Sequence, residues 1–227
     1  MIEIKDLTKI YQMGDERVAA LAGVNLRIDR GEHAAVIGPS GSGKSSLMNI
    51  LGGLDRPTGG IYAFEGEDVS HLDDDQLAEF RCRRIGFVFQ SFQLLPRLSA
   101  LQNVELPMAY AGLPSAQRRK RATELLERVG LGSRRGHRPN QMSGGQQQRV
   151  AIARSLANNP DLILADEPTG ALDTATGEEV LALFKQLNRD GLTLIMVTHD
   201  PGVAAQARRK IAFRDGKIVE DIRTDLS

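Results

Sequence analysis

Eight residues near the start of the chain have the composition and spacing of a phosphate-binding loop, or P-loop. They read Gly38-Pro39-Ser40-Gly41-Ser42-Gly43-Lys44-Ser45 and fit the pattern G-x-x-x-x-G-K-[ST]. The three glycines let the backbone turn so that successive N–H groups can face phosphate oxygens. Lys44 would reach the β- and γ-phosphates of a nucleotide, and Ser45 would offer its hydroxyl to a magnesium ion.

The segments on either side of this loop have the patterns of a buried strand and a helix. His33-Ala34-Ala35-Val36-Ile37 precedes the loop, and Ser46-Leu47-Met48-Asn49-Ile50-Leu51 follows with its apolar residues on one side. A helix that begins at the loop adds the positive end of its dipole to the attraction for phosphate. The context therefore favours a nucleotide site over a glycine-rich turn that binds nothing.

Three further apolar runs each end in polar residues. Gln90, the pair Asp166-Glu167 and His199 stand at the carboxyl ends of these predicted strands, where open α/β sheets bind ligands. Alternation along a strand would put Asp166 and Glu167 on different sides, so that one orients magnesium and the other an attacking water. Taken singly, Gln90 would more often be a strand-end polar residue than a metal contact, and His199 would more often be a capping or packing residue. Together with the P-loop they indicate nucleotide hydrolysis.

A second candidate anion site precedes the strong helix pattern at residues 150–157. It consists of Ser143, Gly144, Gly145 and Gln146. A serine followed by two glycines at a helix start provides a side-chain hydroxyl, free N–H groups and the helix dipole. The same residues would also serve as a simple helix cap, so their connection with a nucleotide depends on the rest of the chain.

Composition limits the possible partners. Lys plus Arg and Asp plus Glu both number 29, so there is no net charge to attract nucleic acid or an anionic membrane. The basic run Arg118–Arg121 is interpreted as a solvated helix face, with a nucleic-acid patch as the less favoured alternative. With a lone Cys82, no apolar run near 18 residues and no signal-peptide pattern, we expect a cytosolic protein in which Cys82 is structural or incidental.

The order of the patterns predicts an α/β protein with a P-loop core, a mixed and mainly parallel sheet and flanking helices. Short alternating strands in residues 2–35 predict an N-terminal antiparallel β subdomain. The prolines Pro96, Pro107 and Pro114 and the charged helix patterns that follow predict an inserted α-helical subdomain over residues 91–159. We therefore expect a single domain over 1–227, in which 1–90 and 160–227 form the nucleotide-binding core with the β subdomain.

These motifs resemble those of the ATPase subunits of ATP-binding cassette (ABC) transporters over nearly the whole chain. The matching elements are the P-loop or Walker A motif GPSGSGKS, the glutamine loop at Gln90, the signature motif MSGGQ, the Walker B motif LILADE, the D-loop ALD and the switch histidine His199. The family more often has leucine where this signature has Met142, which is a volume-conserving exchange.

The resemblance implies that the chain binds and hydrolyses ATP with Mg²⁺ as a head-to-tail homodimer, with two ATP molecules between the P-loop of one copy and the signature motif of the other. Glu167 would be the general base, Asp166 and Gln90 would act through magnesium, and His199 would hold the γ-phosphate. The implied ATP contacts are Tyr11, which matches an adenine-stacking aromatic, Gly38, Pro39, Ser40, Gly41, Ser42, Gly43, Lys44, Ser45, Ser46, Ser143, Gly144, Gly145, Gln146 and Asp173, which would couple the two sites. The implied catalytic residues are Lys44, Gln90, Glu167 and His199, and the implied magnesium ligands are Ser45, Gln90 and Asp166.

Within the family, the runs IGFVFQSFQLLPRLSALQNVELP, SGGQQQRVAIAR and DEPTGALD resemble the branch that serves lipoprotein release, macrolide export and cell-division permeases. This implies a separate integral membrane permease, contacted by the helical subdomain and the residues after Gln90, with the chain peripheral on the inner face of the cell membrane. No nucleic-acid partner is expected. Two alternatives stay open: a soluble ABC-type ATPase of cofactor assembly and one of DNA repair, although the latter would need a coiled-coil insertion or a basic channel that the chain lacks.

Overall fold

The computed structural model describes residues 1–224, which divide into two compact units. The first unit comprises Met1–Arg81 together with the chain from Asn188 onward, and the second comprises Cys82–Leu187. The predicted single domain with a helical subdomain at 91–159 stays a prediction. Within residues 1–224, no helix is both long enough and apolar enough to cross a membrane.

Ten strands, seven α-helices and two short 3₁₀-helices make up the described chain. In order they are β1 (Ile2–Met13), β2 (Glu16–Ile28), β3 (His33–Ile37), α1 (Lys44–Leu51), β4 (Gly59–Phe64), β5 (Glu67–Asp68), α2 (Asp74–Arg84), β6 (Ile85–Phe89), α3 (Ala100–Tyr110), α4 (Ser115–Arg128), the 3₁₀-helices Gly132–Arg134 and Pro139–Gln141, α5 (Gly144–Ser155), β7 (Leu162–Asp166), α6 (Thr174–Arg189), β8 (Thr193–Val197), α7 (Pro201–Ala204), β9 (Arg209–Arg214) and β10 (Lys217–Arg223).

The predicted antiparallel β subdomain is confirmed in the first unit, as a sheet with the strand order β2-β1-β4-β5. The short strands expected in residues 2–35 are instead parts of one long hairpin, β1 with β2, whose register shifts between Ile4 and Leu7, between Leu7 and Thr8 and between Lys9 and Ile10. Such bulges interrupt the alternation of a strand without ending it. This explains why the sequence pattern predicts shorter strands.

The first unit also contains the strands that carry the P-loop. β3 lies between β8 and β9 and is parallel to both, while β10 closes the edge as the predicted antiparallel hairpin with β9. β8 and most of β3 are buried, as expected for strands covered on both faces. Because Val36 pairs with Val197, the segments that leave β3 and β8 start side by side at one edge.

The second unit contains two parallel strands and a group of packed helices. β6 and β7 pair in register from Ile85 opposite Leu162 to Phe89 opposite Asp166. Gly86 has no side chain where β6 meets the end of α5, and a Cβ there would collide with the carbonyl oxygen of Ser155. Helices α3, α4 and α5 pack against one another. The absence of a side chain at Gly86 therefore permits a close approach between β6 and α5.

A buried arginine ties the edge of the β3 sheet to β2. Arg209 pairs through two nitrogens with Asp221, at 2.7 Å each, and through Nη1 with Glu32 at 2.9 Å and the carbonyl oxygen of Arg27 at 2.7 Å. Its side chain is 8% exposed, against 36% for Asp221 and 12% for Glu32. The hydrogen bond from Arg209 lowers the pKa of Asp221 below its ordinary value.

We predict that Arg209→Met lowers the free energy of unfolding by about 3 kcal/mol at neutral pH, because it removes the cation that is hydrogen-bonded to both Asp221 and Glu32. The lowered pKa of Asp221 means that the pair stabilises the fold fully above the ordinary carboxylate pKa of 3.8 and loses this effect as the pH falls through the lowered value. Urea unfolding should therefore show a difference between wild type and variant that narrows in acid. Arg208→Met, at an exposed neighbour, should have little effect; equal losses in both variants would contradict the prediction.

Candidate functional site

The P-loop runs from the end of β3 into the start of α1 along a path that only glycine can follow at two points. Gly38 and Gly43 have φ values of 150° and 106°. A Cβ at Gly38 would collide with the carbonyl oxygen of Phe213, and one at Gly43 with that of Ala20. The loop is therefore pressed against the backbone of β9 and β2, and its course is fixed by the surrounding strands.

The loop contains a cation and an unsatisfied hydroxyl. The Nζ of Lys44 donates to the carbonyl oxygens of Gly38 and Pro39, at 2.8 Å each. Ser42 is buried, and its Oγ has no hydrogen-bond partner among the described residues. No side chain caps the start of α1, since its N-cap residue is Gly43. A lysine, a free hydroxyl and uncapped helix N–H groups together fit a bound phosphate.

The other predicted residues of this half lie around the loop. Pro39, Ser40, Gly41 and Ser45 are exposed, and Ser46 is partly buried on α1. His199 is exposed and lies two residues beyond β8, where the N–H of Thr198 donates to the carbonyl oxygen of Val36 at 3.1 Å. The structure therefore brings His199 to the sheet edge that carries the P-loop, as the sequence predicts.

Tyr11 lies within β1, and two neighbours fix its ring. Its hydroxyl donates to Asp55 Oδ2 at 2.8 Å, while Lys9 Nζ lies 2.6 Å from Asp55 Oδ1 and 4.8 Å from the centre of the ring. Burial raises the pKa of Asp55, but hydrogen bonds from Lys9 and Tyr11 outweigh it, and the net pKa is lowered. An aromatic ring held in one orientation is suited to stacking on a base, because little rotamer freedom remains to be lost.

In the second unit, the ends of β6 and β7 carry the predicted glutamine and carboxylates. Because Phe89 pairs with Asp166, Gln90 and Glu167 are the first residues beyond this pair. β7 ends at Asp166, and Glu167 has a φ of 44°, in the left-handed region. The strand alternation expected for the two carboxylates is therefore wrong. Glu167 lies beyond the end of the strand, and its direction is set by a left-handed backbone conformation that non-glycine residues rarely adopt.

The turn after Glu167 contacts Gln90. The N–H of Gly170 donates to the carbonyl oxygen of Glu167 at 3.0 Å. A Cβ on Gly170 would lie 2.7 Å from Nε2 of Gln90, so the glutamine side chain packs directly against this turn. The predicted glutamine and general base thus belong to one packed group of residues.

The signature residues form the predicted helix cap and pack against the start of α6. Ser143 and Gln146 form a capping box at the start of α5, with the N–H of Gln146 donating to Ser143 Oγ at 3.3 Å. A Cβ on Gly145 would collide with Cγ2 of Thr176, and one on Gly144 would lie 3.3 Å from Leu172 Cδ2. The second glycine is therefore required by helix packing.

Asp173 caps α6 from the same region. It accepts hydrogen bonds from the N–H of Thr176 at 3.0 Å and from its hydroxyl at 2.7 Å. The backbone and side-chain bonds from Thr176 lower the pKa of the Asp173 carboxyl. Its aspartate is thus anionic at neutral pH at the positive end of a helix.

Two further residues of α5, Gln148 and Arg154, bind the backbone of neighbouring loops. Gln148 is fully buried and donates from Nε2 to the carbonyl oxygen of Pro168 at 2.5 Å. Arg154 donates to the carbonyl oxygens of Phe92 and Gln93, at 2.9 and 2.5 Å, and both of these residues have positive φ. In the sequence, Gln148 stands among other polar residues and gives no signal, whereas Arg154 is a charged residue within the apolar run at 150–157.

These motifs lie in a part of the chain that matches a known protein family. The sequence profile of the family described as "ABC transporter" matches residues 21–170, which include the P-loop, Gln90, the signature and Glu167. The chain belongs to the ABC transporter family. Tyr11 and His199 lie outside the matched residues. As the family's ATP-binding component, the chain is an ATPase, and the resemblance seen in the sequence is confirmed.

Individual relatives cover the chain almost completely. It is 59% identical over 218 residues to an uncharacterised ABC transporter ATP-binding protein of Thermotoga maritima, with 96% of this chain and 93% of the relative covered. It is 56% identical to the macrolide export ATP-binding/permease protein MacB of Sodalis glossinidius over 99% of this chain, yet spans only 34% of that relative. A dimeric structure of the ATP-binding cassette MJ0796 bound to ADP and Pi superposes with a TM-score of 0.90 at 50% identity, with 98% of each chain covered. The predicted α/β fold with a P-loop core is thereby confirmed.

We predict that Gly145→Ala destabilises the protein by about 1–3 kcal/mol, the usual cost of inserting a methyl group into a packed contact. Thr176→Ser should recover most of this loss in the double variant. It removes the colliding Cγ2 methyl and keeps the hydroxyl that bonds to Asp173. Thermal unfolding of both single variants and the double variant measures the effect. Losses that simply add would contradict the predicted collision.

Proposed function

We propose that this ABC ATPase binds MgATP through the P-loop of one copy and the signature motif of a second copy. The observation that carries the proposal is the P-loop itself, with its glycine path, the inward Lys44 and the unsatisfied Ser42 hydroxyl. In this arrangement Lys44 exchanges its loop carbonyls for β- and γ-phosphate oxygens. The N–H groups of Gly38 and of residues 40–46 bind the remaining phosphate oxygens, and Tyr11 stacks on the adenine.

Magnesium would be held by Ser45, Gln90 and Asp166 together with phosphate oxygens. Within residues 1–224, no group of three or more His, Cys, Asp or Glu residues could hold a metal ion. Mg²⁺ usually takes one or two carboxylates and completes its coordination with phosphates and water, so a hydroxyl, an amide and a carboxylate fit its needs. The bound ion supplies neutralisation of charge on the phosphates.

The chemical step is assigned to Glu167. As general base it accepts the proton of the attacking water, and His199 donates a hydrogen bond to the γ-phosphate. The left-handed backbone at Glu167 is the kind of local strain that is often found at functional sites. It supports a role in which the direction of the carboxylate matters more than local backbone preference.

A second copy of the chain completes the proposal. Ser143, Gly144, Gly145 and Gln146 close on the nucleotide held by the partner's P-loop, and Asp173 couples the two sites. Support comes from the dimeric structures of the similar cassette MJ0796 and from the capped N-terminus of α5, whose N–H groups suit an anion. ATP would then stabilise the dimer by binding to both copies at once.

The work of hydrolysis is proposed to drive a separate membrane permease at the inner face of the cell membrane. Relatives named as ATP-binding/permease proteins, for macrolide and for pyoverdine export, contain this chain's counterpart as about a third of their length. This supports lipoprotein release, export or related mechanical work, with a permease bound to the second unit. The relatives do not favour a soluble ATPase of cofactor assembly or DNA repair.

We predict that Lys44→Ala abolishes ATP binding, because the phosphates lose the side-chain cation of the loop. Equilibrium binding of a fluorescent ATP analogue measures the loss of affinity. Thermal unfolding shows whether the variant still folds after the carbonyl oxygens of Gly38 and Pro39 lose their donor. Lys217→Ala, at an exposed lysine of the same unit, is the matched control. Unchanged affinity in a folded Lys44→Ala protein would refute the assignment of the P-loop.

We predict that Glu167→Gln slows hydrolysis by about 10²–10⁴-fold, the usual contribution of a positioned general base, without loss of ATP binding. The variant should therefore accumulate as an ATP-bound dimer, seen by light scattering after size exclusion. Adding Ser143→Glu should dissociate this dimer and leave binding to the monomer nearly intact. A Glu167→Gln protein that stays monomeric with ATP bound would exclude the proposed assembly.

A further inference from the structure

Gln148 is a polar residue on the buried face of α5. The residue is fully buried, its Nε2 donates to the carbonyl oxygen of Pro168, and its Oε1 has no hydrogen-bond partner among the described residues. An amide buried with one end unsatisfied is unfavourable, and an apolar side chain of similar size would avoid that penalty. The single bond that the amide makes is therefore the feature that requires an explanation.

That bond ends next to the proposed general base. Pro168 follows Glu167, whose φ of 44° departs both from ordinary backbone preference and from the extended conformation favoured before proline. Proline has no N–H, so its carbonyl is the only backbone polar group through which residue 168 can be held. The bond from Gln148 holds the chain on one side of Glu167, and the bond from Gly170 N–H closes the turn that follows.

The same helix carries the signature motif at its start. Ser143 is the N-cap of α5, and Gln148 lies five residues later, a distance of about 7.5 Å along the helix axis. α5 is packed on β6 through Gly86 and on α6 through Gly145. If the start of α5 moved, Gln148 would move with it and would shift or break its bond to the carbonyl oxygen of Pro168.

We propose that Gln148 is a positioning residue for the hydrolytic reaction, which holds the Glu167 turn in its active conformation and links it to the signature helix. The inference rests on the proposed function, in which Glu167 is the base. Through one rigid helix, closure of Ser143 on the nucleotide of the partner copy would set the direction of the base that acts on the chain's own nucleotide. Gln148 itself does not touch substrate.

The test is the hydrolysis rate of Gln148→Met, which keeps the volume and removes the donor. We expect kcat for ATP to fall by about 10- to 100-fold, the scale of a small misplacement of a catalytic group, with KM and ATP affinity unchanged. Gln147→Met is the matched control. That amide donates to the carbonyl oxygen of Met142, a bond that does not reach the Glu167 turn, and we expect less than about a 3-fold change. If the methionine variant does not fold, Gln148→Asn keeps the amide but is one methylene too short to reach Pro168.

The decisive comparison repeats Gln148→Met in the Glu167→Gln background. If Gln148 acts through Glu167, the second substitution should lower the residual hydrolysis by less than about 2-fold, because the group that it positions is already gone. Equal losses in both backgrounds, or a folded Gln148→Met protein with wild-type kcat, would overturn the role of Gln148 and leave the proposed base intact. Normal hydrolysis by Glu167→Gln alone would overturn both.

Discussion

The structure of the first unit depends on a steric constraint: the P-loop passes so close to two backbone carbonyls that no side chain fits between them. Gly38 meets the carbonyl oxygen of Phe213 and Gly43 that of Ala20, so the backbones of both β9 and β2 constrain the course of the loop. The N–H of Gly216, in the turn between β9 and β10, also donates to the carbonyl oxygen of Ser42 at 2.9 Å. The hairpin of β9 and β10 and the N-terminal sheet therefore fix the backbone conformation of the proposed phosphate-binding loop. Arg209 links these two elements, because it donates to the carbonyl oxygen of Arg27 in β2 and to Asp221 in β10.

A comparable constraint organises the second unit, where α5 is the shared support. Its start forms the signature cap, its middle holds the turn after Glu167 through Gln148, and Arg154 holds two left-handed residues, Phe92 and Gln93, after Gln90. The contacts of Gln148 and Arg154 end on backbone carbonyls. A helix that binds backbone groups fixes the course of the loops and leaves their side chains available for chemistry.

Much of this could be predicted from sequence because the signals are local. The P-loop, the strand at 85–89, the helix at 174–189 and the cap at Ser143 depend on glycine, apolar runs and capping residues within a few positions. The partners of Tyr11 and Gln148 could not be predicted, because Asp55 and Pro168 are 44 and 20 residues away along the chain. The basic run shows the same limit. Arg121 donates to Asn159, which is 38 residues away along the chain. Arg118 donates to the nearby carbonyl oxygen of Leu113, so two members of the run have structural bonds in addition to their solvated face.

The backbone at Glu167 shows why such distant partners are needed. A non-glycine residue held in the left-handed region costs on the order of 1–3 kcal/mol, and glycine at this position would remove that cost together with the carboxylate. The strain persists only because neighbouring groups over-determine the turn, and the bonds to the carbonyl oxygens of Glu167 and Pro168 are two such restraints. One of them comes from α5, so the proposed role of Gln148 makes the conformation of Glu167 depend on the position of that helix. As the proposed general base, Glu167 would therefore keep its active direction only while α5 stays in place.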